Sequence, residues 1–124
     1  MVGCSALPVD VEGTFDRASD GTLVVGVSDN DPWTALETDL ITSFADTIGA
    51  EIDWREGPES VLAERIRDGE IDVFIGGLNS SSPWASHMAL THPYQDDMVM
   101  GVRLGENELL VNLERHLFRE SADE

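Results

Sequence analysis

The sequence contains no lysine and only seven basic residues, all arginine, against 25 acidic residues, which gives a formal net charge of −18 over 124 residues. Nucleic acid is therefore an unsuitable partner, because phosphate binding requires a basic surface. The same charge disfavours anionic lipid headgroups and favours cationic ligands by long-range attraction. An acidic, solvated surface also suits high salt, where self-repulsion is screened. The net charge alone does not distinguish attraction of cationic ligands from a surface suited to high salt.

Cysteine occurs once, at Cys4, which excludes an intrachain disulfide and a cysteine-based zinc site. The small residues around Cys4 match the pattern that precedes a lipidated cysteine in bacterial lipoproteins. The basic and apolar parts of a signal peptide are missing, so either the start is truncated or the match arises by chance. No apolar run approaches transmembrane length. Membrane association is therefore expected only through a lipid anchor at Cys4.

Signals of catalysis and of metal binding are also missing. No serine lies in a G-x-S-x-G elbow, and the three histidines, His87, His92 and His116, do not have a metal-binding spacing. The acidic run at residues 29–31 begins like a calcium loop but lacks the later glycine and glutamate. We therefore expect no enzyme, no cofactor and no metal site.

The length is that of one domain. Residues 1–21 show no sustained period and are predicted to form a leader or flexible tether. Residues 22–119 are predicted to form one α/β lobe, and residues 120–124 an acidic tail.

Hydrophobic periodicity within the lobe predicts strands that alternate with helices. The valine-rich run 23–28 is typical of a strand buried on both faces, whereas residues 51–55 alternate and predict a half-exposed strand. Two right-handed crossovers then give a largely parallel sheet of order 2-1-3 in a three-layer lobe. The other predicted elements are a helix from Thr38 to Gly49, a helix from Pro58 to Gly69 with Val61, Leu62 and Ile66 inward, a third strand 71–75, a return strand 98–102 and a last helix 105–119.

Ligands of open parallel sheets collect beyond the carboxyl ends of the strands, where the strand order reverses. Here that point lies between the loops 28–37 and 76–86. The first loop offers the carboxylates of Asp29, Asp31 and Glu37 and the ring of Trp33. Trp33 either stacks on an apolar or cationic ligand or caps the core, and the pattern does not separate the two.

The second loop carries Gly77, Asn79 and Ser81, whose backbone donors and small side chains suit close approach to a ligand. Ser82 is predicted to cap a short helix with Pro83 in its first turn. Ordinary loop and cap chemistry explains the same residues, so both interpretations stay open.

Several segments together resemble the family-3 periplasmic solute-binding proteins of ABC transporters, the amino-acid-binding type. The resemblance covers about residues 21 to 104. The residues that carry it are Gly21 to Val27, Pro32-Trp33, Asp39-Leu40, Asp68 to Val73, Gly76-Gly77-Leu78 and Pro93-Tyr94.

The resemblance implies a periplasmic-binding-protein type II fold of two lobes with a solute clamped between them. This chain runs from Tyr94 directly into the return strand, where the family crosses to a second lobe, so only the first lobe is expected. In the family, the loop after the third strand carries a threonine and, three residues on, an arginine that grips the ligand's α-carboxylate. Ser81 and Trp84 take those two positions here, which puts amino-acid specificity in doubt.

The resemblance therefore implies an extracytoplasmic substrate-binding domain for an amino acid, amine or similar small solute, delivered to an ABC permease. Its expected ligand-binding residues are Asp29, Asp31, Trp33, Gly77, Asn79, Ser81, Trp84 and Tyr94. Because a single lobe leaves its ligand half exposed, we expect a homodimer whose second copy supplies the missing wall. The alternative is an interaction or sensory module that kept the fold and lost solute binding.

Overall fold

The computed structural model of the chain describes Asp10 and residues 13–28, 33–76, 78–79, 81–93 and 98–122, with the backbone alone for residues 33, 34, 85, 121 and 122. The elements in chain order are α1 (Thr14–Ala18), β1 (Thr22–Val27), α2 (Trp33–Thr47), β2 (Glu51–Glu56), α3 (Glu59–Arg67), β3 (Val73–Ile75), a 3-10 helix (Pro83–His87), β4 (Ala89–Leu90), β5 (Gly101–Val102) and α4 (Asn107–Ala122).

The described strands form one sheet of order β2-β1-β3-β5-β4. β1 is parallel to both β2 and β3, which confirms the predicted order 2-1-3. β5 returns antiparallel to β3, and β4 is antiparallel to β5. Four of the five strands therefore run in the same direction.

The core has two parts, one on each face of the sheet. On one face, Leu23 and Val25 of β1 pack with Ile41 and Phe44 of α2 and with the buried leucines of α4. On the other face, α3 and the 3-10 helix cover Phe74 and Leu78. The lobe thus has the predicted three layers, and the continuous apolar run of β1 is explained by burial on both faces.

The helices bury the faces that their sequences indicate, with one exception. α2 ends near Gly49, which adopts the left-handed conformation (φ 67°) that commonly follows a helix. In α3 the buried residues are Leu62, Ala63 and Ile66, whereas Val61 is 40% exposed. The prediction that Val61 faces inward is wrong, because Val61 lies one residue, about 100° of helix rotation, away from the face that Leu62 and Ile66 share.

The amino-terminal segment differs from the prediction of a leader in its described part. Residues 14–18 form α1, with Thr14 and Ala18 buried. The backbones of Asp10 and Glu106 form an isolated antiparallel β-bridge. At the other end, α4 continues to Ala122, beyond the predicted boundary at residue 119. A helix as short as α1 has no periodicity that sequence reasoning can detect.

The return of the chain also differs in detail. The predicted strand 98–102 is a strand only at Gly101–Val102, while Met98 makes an isolated bridge with Asn79. β4, which the sequence did not predict, pairs with β5 through Leu90 and Gly101. Two-residue strands are too short to show alternation, so their partners decide where they form.

Candidate functional site

The carboxyl ends of β1 and β3 lie side by side. Val27 is paired with Ile75, and the Ser28 N–H donates to the Ile75 carbonyl at 3.0 Å. The next residue, Gly76, has φ 127°, and a Cβ at this position would overlap the Ser28 backbone. Only glycine fits there. The two loops expected to hold a ligand therefore begin in direct contact.

The first loop is shorter than predicted, because α2 begins at Trp33 and not near Thr38. Trp33 is the first residue of this helix, and its side chain is outside the described residues, as are Asp29 and Asp31. Glu37, expected in the loop, lies instead on the helix. Residues 33–37 have no periodic apolar pattern, so the predicted start lies more than one turn too late.

Glu37 is fully buried where α2 meets the ends of β1 and β3. Its Oε1 accepts a hydrogen bond from the Gly76 N–H at 2.8 Å. Both residues also have further interactions. A buried carboxylate is unfavourable unless it is hydrogen-bonded, so this contact fixes Glu37 and the start of the second loop together. The sequence indicated Glu37 only as a loop acceptor, because nothing local to it points to Gly76.

The described part of the second loop is held by hydrogen bonds among its own residues. The Ser81 N–H donates to Asn79 Oδ1 at 2.9 Å, and the Asn79 N–H donates to Ser82 Oγ at 3.1 Å. The Ser82 N–H donates to the Asn79 carbonyl at 3.0 Å. These donors were expected to approach a ligand, but they are used within the turn. Gly77 of this loop lies outside the described residues.

Ser82 precedes the 3-10 helix with Pro83 in its first turn, as predicted, although no cap hydrogen bond from the Ser82 side chain to that helix is present. Ser81 itself is exposed. Tyr94 and Cys4 lie outside the described residues.

Trp84 is half-buried against the α3 side of the core. Its indole N–H donates to Glu59 Oε1 at 3.0 Å, and its ring meets the His87 ring edge-on with centroids 6.2 Å apart. Glu59 is the first residue of α3, which follows the carboxyl end of β2. A carboxylate and an indole therefore form a pair at the position where the resemblance places an arginine. The sequence does not predict the contact of Glu59 with Trp84, because 25 residues separate the two along the chain.

The charges near the carboxyl edge are acidic. Glu56 ends β2, Glu59 begins α3, and Glu37 lies at the β1–β3 junction. Arg55 is nearby but pairs with Asp53 through two contacts of 2.8 and 3.1 Å. This pairing lowers the pKa of Asp53, chiefly through the hydrogen bond from Arg55. The other arginines lie on α1, late in α3 and α4, and after β5: Arg17, Arg65, Arg67, Arg103, Arg115 and Arg119.

A separate cavity of about 240 Å³ lies between His92-Pro93 and the second half of α4, where Phe118 is 78% exposed. Asn79, Ser81 and Trp84, the predicted ligand-binding residues whose side chains the structure describes, do not line it. Within the described ranges, no three potential ligands cluster around a point suited to a metal ion. None of the helices described is both long and apolar enough to cross a bilayer.

Comparison with solved structures shows the fold to be that of amino-acid-binding proteins. The arginine-bound form of domain 1 from TmArgBP matches with a TM-score of 0.69 and 22% identity over 85% of this chain and 97% of that one. An ancestral arginine-binding protein bound to arginine matches with a TM-score of 0.70 and 12% identity, over 83% and 93% of the two chains.

A binding component of an ABC transporter from Wolinella succinogenes, described as putative and complexed with lysine, matches with a TM-score of 0.52 and 19% identity. That match covers 60% of this chain but 36% of the other. The lobe therefore corresponds to a part of the longer structure. No significant match was found among curated protein sequences.

The model of one family, the bacterial extracellular solute-binding proteins of family 3, matches residues 24–124. This range holds all five strands of the sheet except the first two residues of β1, together with α2, α3 and α4. The match thus covers most of the chain and agrees with the fold. The chain belongs to the bacterial extracellular solute-binding proteins, family 3.

Proposed function

We propose that the lobe binds a small cationic solute, either a cationic amino acid or an amine, at the carboxyl edge between β1 and β3. The observation that carries this proposal is the contact between Trp84 and Glu59 at the start of α3, where the indole Nε1 lies 3.0 Å from Glu59 Oε1. Carboxylates and aromatic rings bind organic cations by charge and by the ring quadrupole. No arginine is available in the loops 28–33 or 76–86 to grip an anion.

The structural neighbours support this ligand class. A single domain of TmArgBP is described as arginine-bound, and the Wolinella protein as complexed with lysine. Both ligands carry a positive side chain. The α-carboxylate of such a ligand would lack the bidentate partner that an arginine supplies. We therefore infer that the cationic group of the solute contributes more to affinity here than its carboxylate.

Except for Asn79 and Ser81, the predicted residues keep their ligand-binding roles within this proposal. Trp33 is the first residue of α2, and Asp29 and Asp31 precede it in the sequence, whereas Gly77, Asn79 and Ser81 come after β3 in the sequence. Because Asn79 and Ser81 are bonded to each other, we assign them to shaping the loop. Trp84 and Tyr94 complete the set, with Glu59 added by the structure.

We further propose an extracytoplasmic location and delivery of the solute to an ABC permease, in keeping with the family. A lipid anchor at Cys4 and a high-salt environment, which the net charge of −18 suits, complete the proposal. We also propose that the lobe is not an enzyme. The fold does not decide this, since an ancestral cyclohexadienyl dehydratase shares it with a TM-score of 0.55.

The proposal is tested by comparing arginine with agmatine, which lacks the carboxylate, and lysine with cadaverine, in thermal-shift and calorimetric titrations. Agmatine and cadaverine are expected to bind at least as tightly as the amino acids, because the site holds the cation. At about 100 times the Kd a ligand adds about 2.7 kcal/mol to the free energy of unfolding. Binding of arginine far more tightly than agmatine would contradict the proposal.

A matched pair of variants locates the site. Glu59→Gln is expected to weaken agmatine binding roughly tenfold by removing a charge next to the ligand. Glu64→Gln, the same change at an exposed residue further along α3, is expected to leave binding unchanged. Equal effects of the two variants would remove Glu59 from the site. Absence of binding by all four compounds would favour the module that kept the fold and lost solute binding.

A further inference from the structure

The outer edge of β2 has no partner strand along its length among the residues that the structure describes. β2 pairs with β1 over its full span, and no described strand lies on its other side. Glu51 and Gly57 donate their backbone N–H groups to Gly21 and Val27, toward β1. Because backbone groups alternate sides along a strand, the N–H and C=O groups of residues 52, 54 and 56 point toward the open edge. An open edge of this length is a template for another strand.

An exposed aromatic side chain and a groove lie at this edge. Trp54, in the middle of β2, is 39% exposed although it is a large apolar residue. Beside it a groove of about 230 Å³ runs between α2 and β2. Its lining is Thr42, Ala45, Asp46, Ala50, Ile52 and Trp54. The two alanines and Ile52 in this lining, beside the polar Thr42 and Asp46, offer a surface on which a second aromatic ring can pack.

The two central charges of β2, a negative one on Asp53 and a positive one on Arg55, are complementary to those of a reversed copy of the strand, whereas Glu51 and Glu56 at its ends have no such match. Asp53 and Arg55 flank Trp54 on the same face of β2 and are paired at 2.8 Å. When two copies of β2 are antiparallel about a two-fold axis at Trp54, Asp53 lies directly opposite the second copy's residue 55, an arginine, and the reverse pair forms by symmetry. Cross-strand pairs of opposite charge stabilise a sheet, whereas like charges destabilise it.

The backbone fits the same register. The two copies of Trp54 face each other as a hydrogen-bonded pair, because the N–H and C=O of this residue point outward. Asp53 and the arginine at position 55 of the second copy then form a non-hydrogen-bonded pair, the kind in which side chains come closest. A shift by one residue would place Trp54 opposite a charged residue and break both ion pairs. Hydrogen bonding and charge therefore select one register.

We propose that two copies of the chain associate edge to edge through β2, antiparallel and centred on Trp54, to join their two five-stranded sheets into one. The partner is a second copy, because in this register each Asp53 lies opposite an arginine and each Arg55 lies opposite an aspartate. Each copy carries a formal charge of −18, so repulsion opposes association at low salt. Salt shortens the range of this repulsion, from about 10 Å at about 0.1 M to about 3 Å at about 1 M. Dimerisation accordingly strengthens with salt.

This dimer differs from the one expected from the sequence. The two copies of β2 run in opposite directions, so the carboxyl edges of the two lobes lie at opposite ends of the joint sheet. Neither copy covers the ligand site of the other. The proposal is thus independent of solute binding, and the two fail or succeed separately.

The test measures the association state by sedimentation velocity at about 0.1 M and about 1 M NaCl, which differ about threefold in screening length. The wild-type chain is expected to dimerise more tightly at the higher salt. Arg55→Asp places aspartates opposite each other and is expected to weaken the dimer at least about tenfold. The double variant Asp53→Arg with Arg55→Asp restores opposite pairs in the same register and is expected to recover the dimer.

Arg67→Asp is the matched control, since it makes the same change in net charge at an exposed position on α3. Circular dichroism verifies that each variant is folded. A wild-type chain that stays monomeric at both salt concentrations overturns the proposal. So does a dimer that Arg55→Asp weakens no more than Arg67→Asp, or one that the double variant fails to restore.

Discussion

At the scale of single residues, the two carboxylates that shape the site have different environments. Glu37 has no exposed surface and accepts the Gly76 N–H, whereas Glu59 lies at a helix start beside a half-buried indole. Desolvation makes the first a structural residue that must keep its hydrogen bonds. The second keeps enough access to meet a solute. The same residue type thus fixes one loop and, in our proposal, recognises the charge of the solute next to another.

Replacement of Glu37 should therefore affect stability. Glu37→Ala leaves the buried Gly76 N–H without this acceptor, which costs about 1–3 kcal/mol. Glu37→Gln keeps an acceptor oxygen and is expected to lose less. Urea denaturation measures the free energy of unfolding, with Glu64→Ala, at an exposed position on α3, as control. A loss for Glu37→Ala within about 0.5 kcal/mol of that control would contradict a structural role.

At the scale of elements, α2 and α4 are joined by a buried histidine. His116 Nε2 lies 3.0 Å from Ser43 Oγ, and its ring packs against Phe44 at 5.8 Å between centroids. Burial lowers the pKa of His116 below its usual 6.5, although nearby Glu120 acts in the opposite direction. Burial at the interface of the two helices therefore favours the neutral form of the His116 ring.

The pH dependence of stability follows from the lowered pKa of His116. Below about pH 6.5 the unfolded chain binds a proton at His116 more readily than the folded chain, so stability is lost as pH falls. Relative to His116→Gln, the wild-type protein is expected to lose stability between about pH 7 and about pH 5, by at most about 1.4 kcal/mol per pH unit. Denaturation of both proteins at several pH values measures this difference. A difference that does not change with pH would contradict the prediction.

Asp10 connects two further elements. Its Oδ2 accepts the Phe15 N–H of α1 at 2.7 Å, and its Oδ1 accepts the Leu109 N–H of α4 at 2.9 Å. Close by, Glu106 accepts both the N–H and the hydroxyl of Thr14. One carboxylate therefore satisfies N–H groups at the starts of two helices. This holds the segment around α1 on the lobe.

Removal of the Asp10 side chain should then destabilise the lobe. Asp10→Ala is expected to lower the free energy of unfolding by about 1–3 kcal/mol, since each lost cap costs about 1 kcal/mol. Asp16→Ala, at an exposed position on α1, removes the same charge and serves as the control. If residues up to 21 acted only as a tether, the two variants would be equally stable.

The elements also show how far the sequence is informative. β1 and α2 follow from their apolar residues, because each buries a face determined by its own period, and β2 follows from its alternation of apolar and charged residues. α1 does not, because contacts with Glu106, 92 residues away from Thr14, hold it in place. The Trp84–Glu59 pair escaped prediction for the same reason. Local patterns predict elements, whereas the site depends on contacts between distant residues.

At the scale of the whole molecule, the proposed solute site and the proposed dimer contact lie on different sides of the sheet. The carboxyl ends of β1 and β3 adjoin acidic residues on α2 and α3, and no described strand pairs with the outer side of β2. The two features lie at right angles to each other on the sheet. Solute binding and self-association can therefore take place in the same molecule without competition for surface.

The hairpin formed by β4 and β5 has a practical consequence. Leu90 pairs with Gly101, the Thr91 N–H donates to the Met100 carbonyl at 2.9 Å, and the Met100 N–H donates to Thr91 Oγ1 at 3.0 Å. The chain leaving the sheet and the chain re-entering it are thus fastened to each other. A reporter domain such as a fluorescent protein, spliced between residues 93 and 98, would start and end close to this fastened pair. Because closing a longer loop adds little entropy cost, we expect the lobe to accept the inserted domain and still fold.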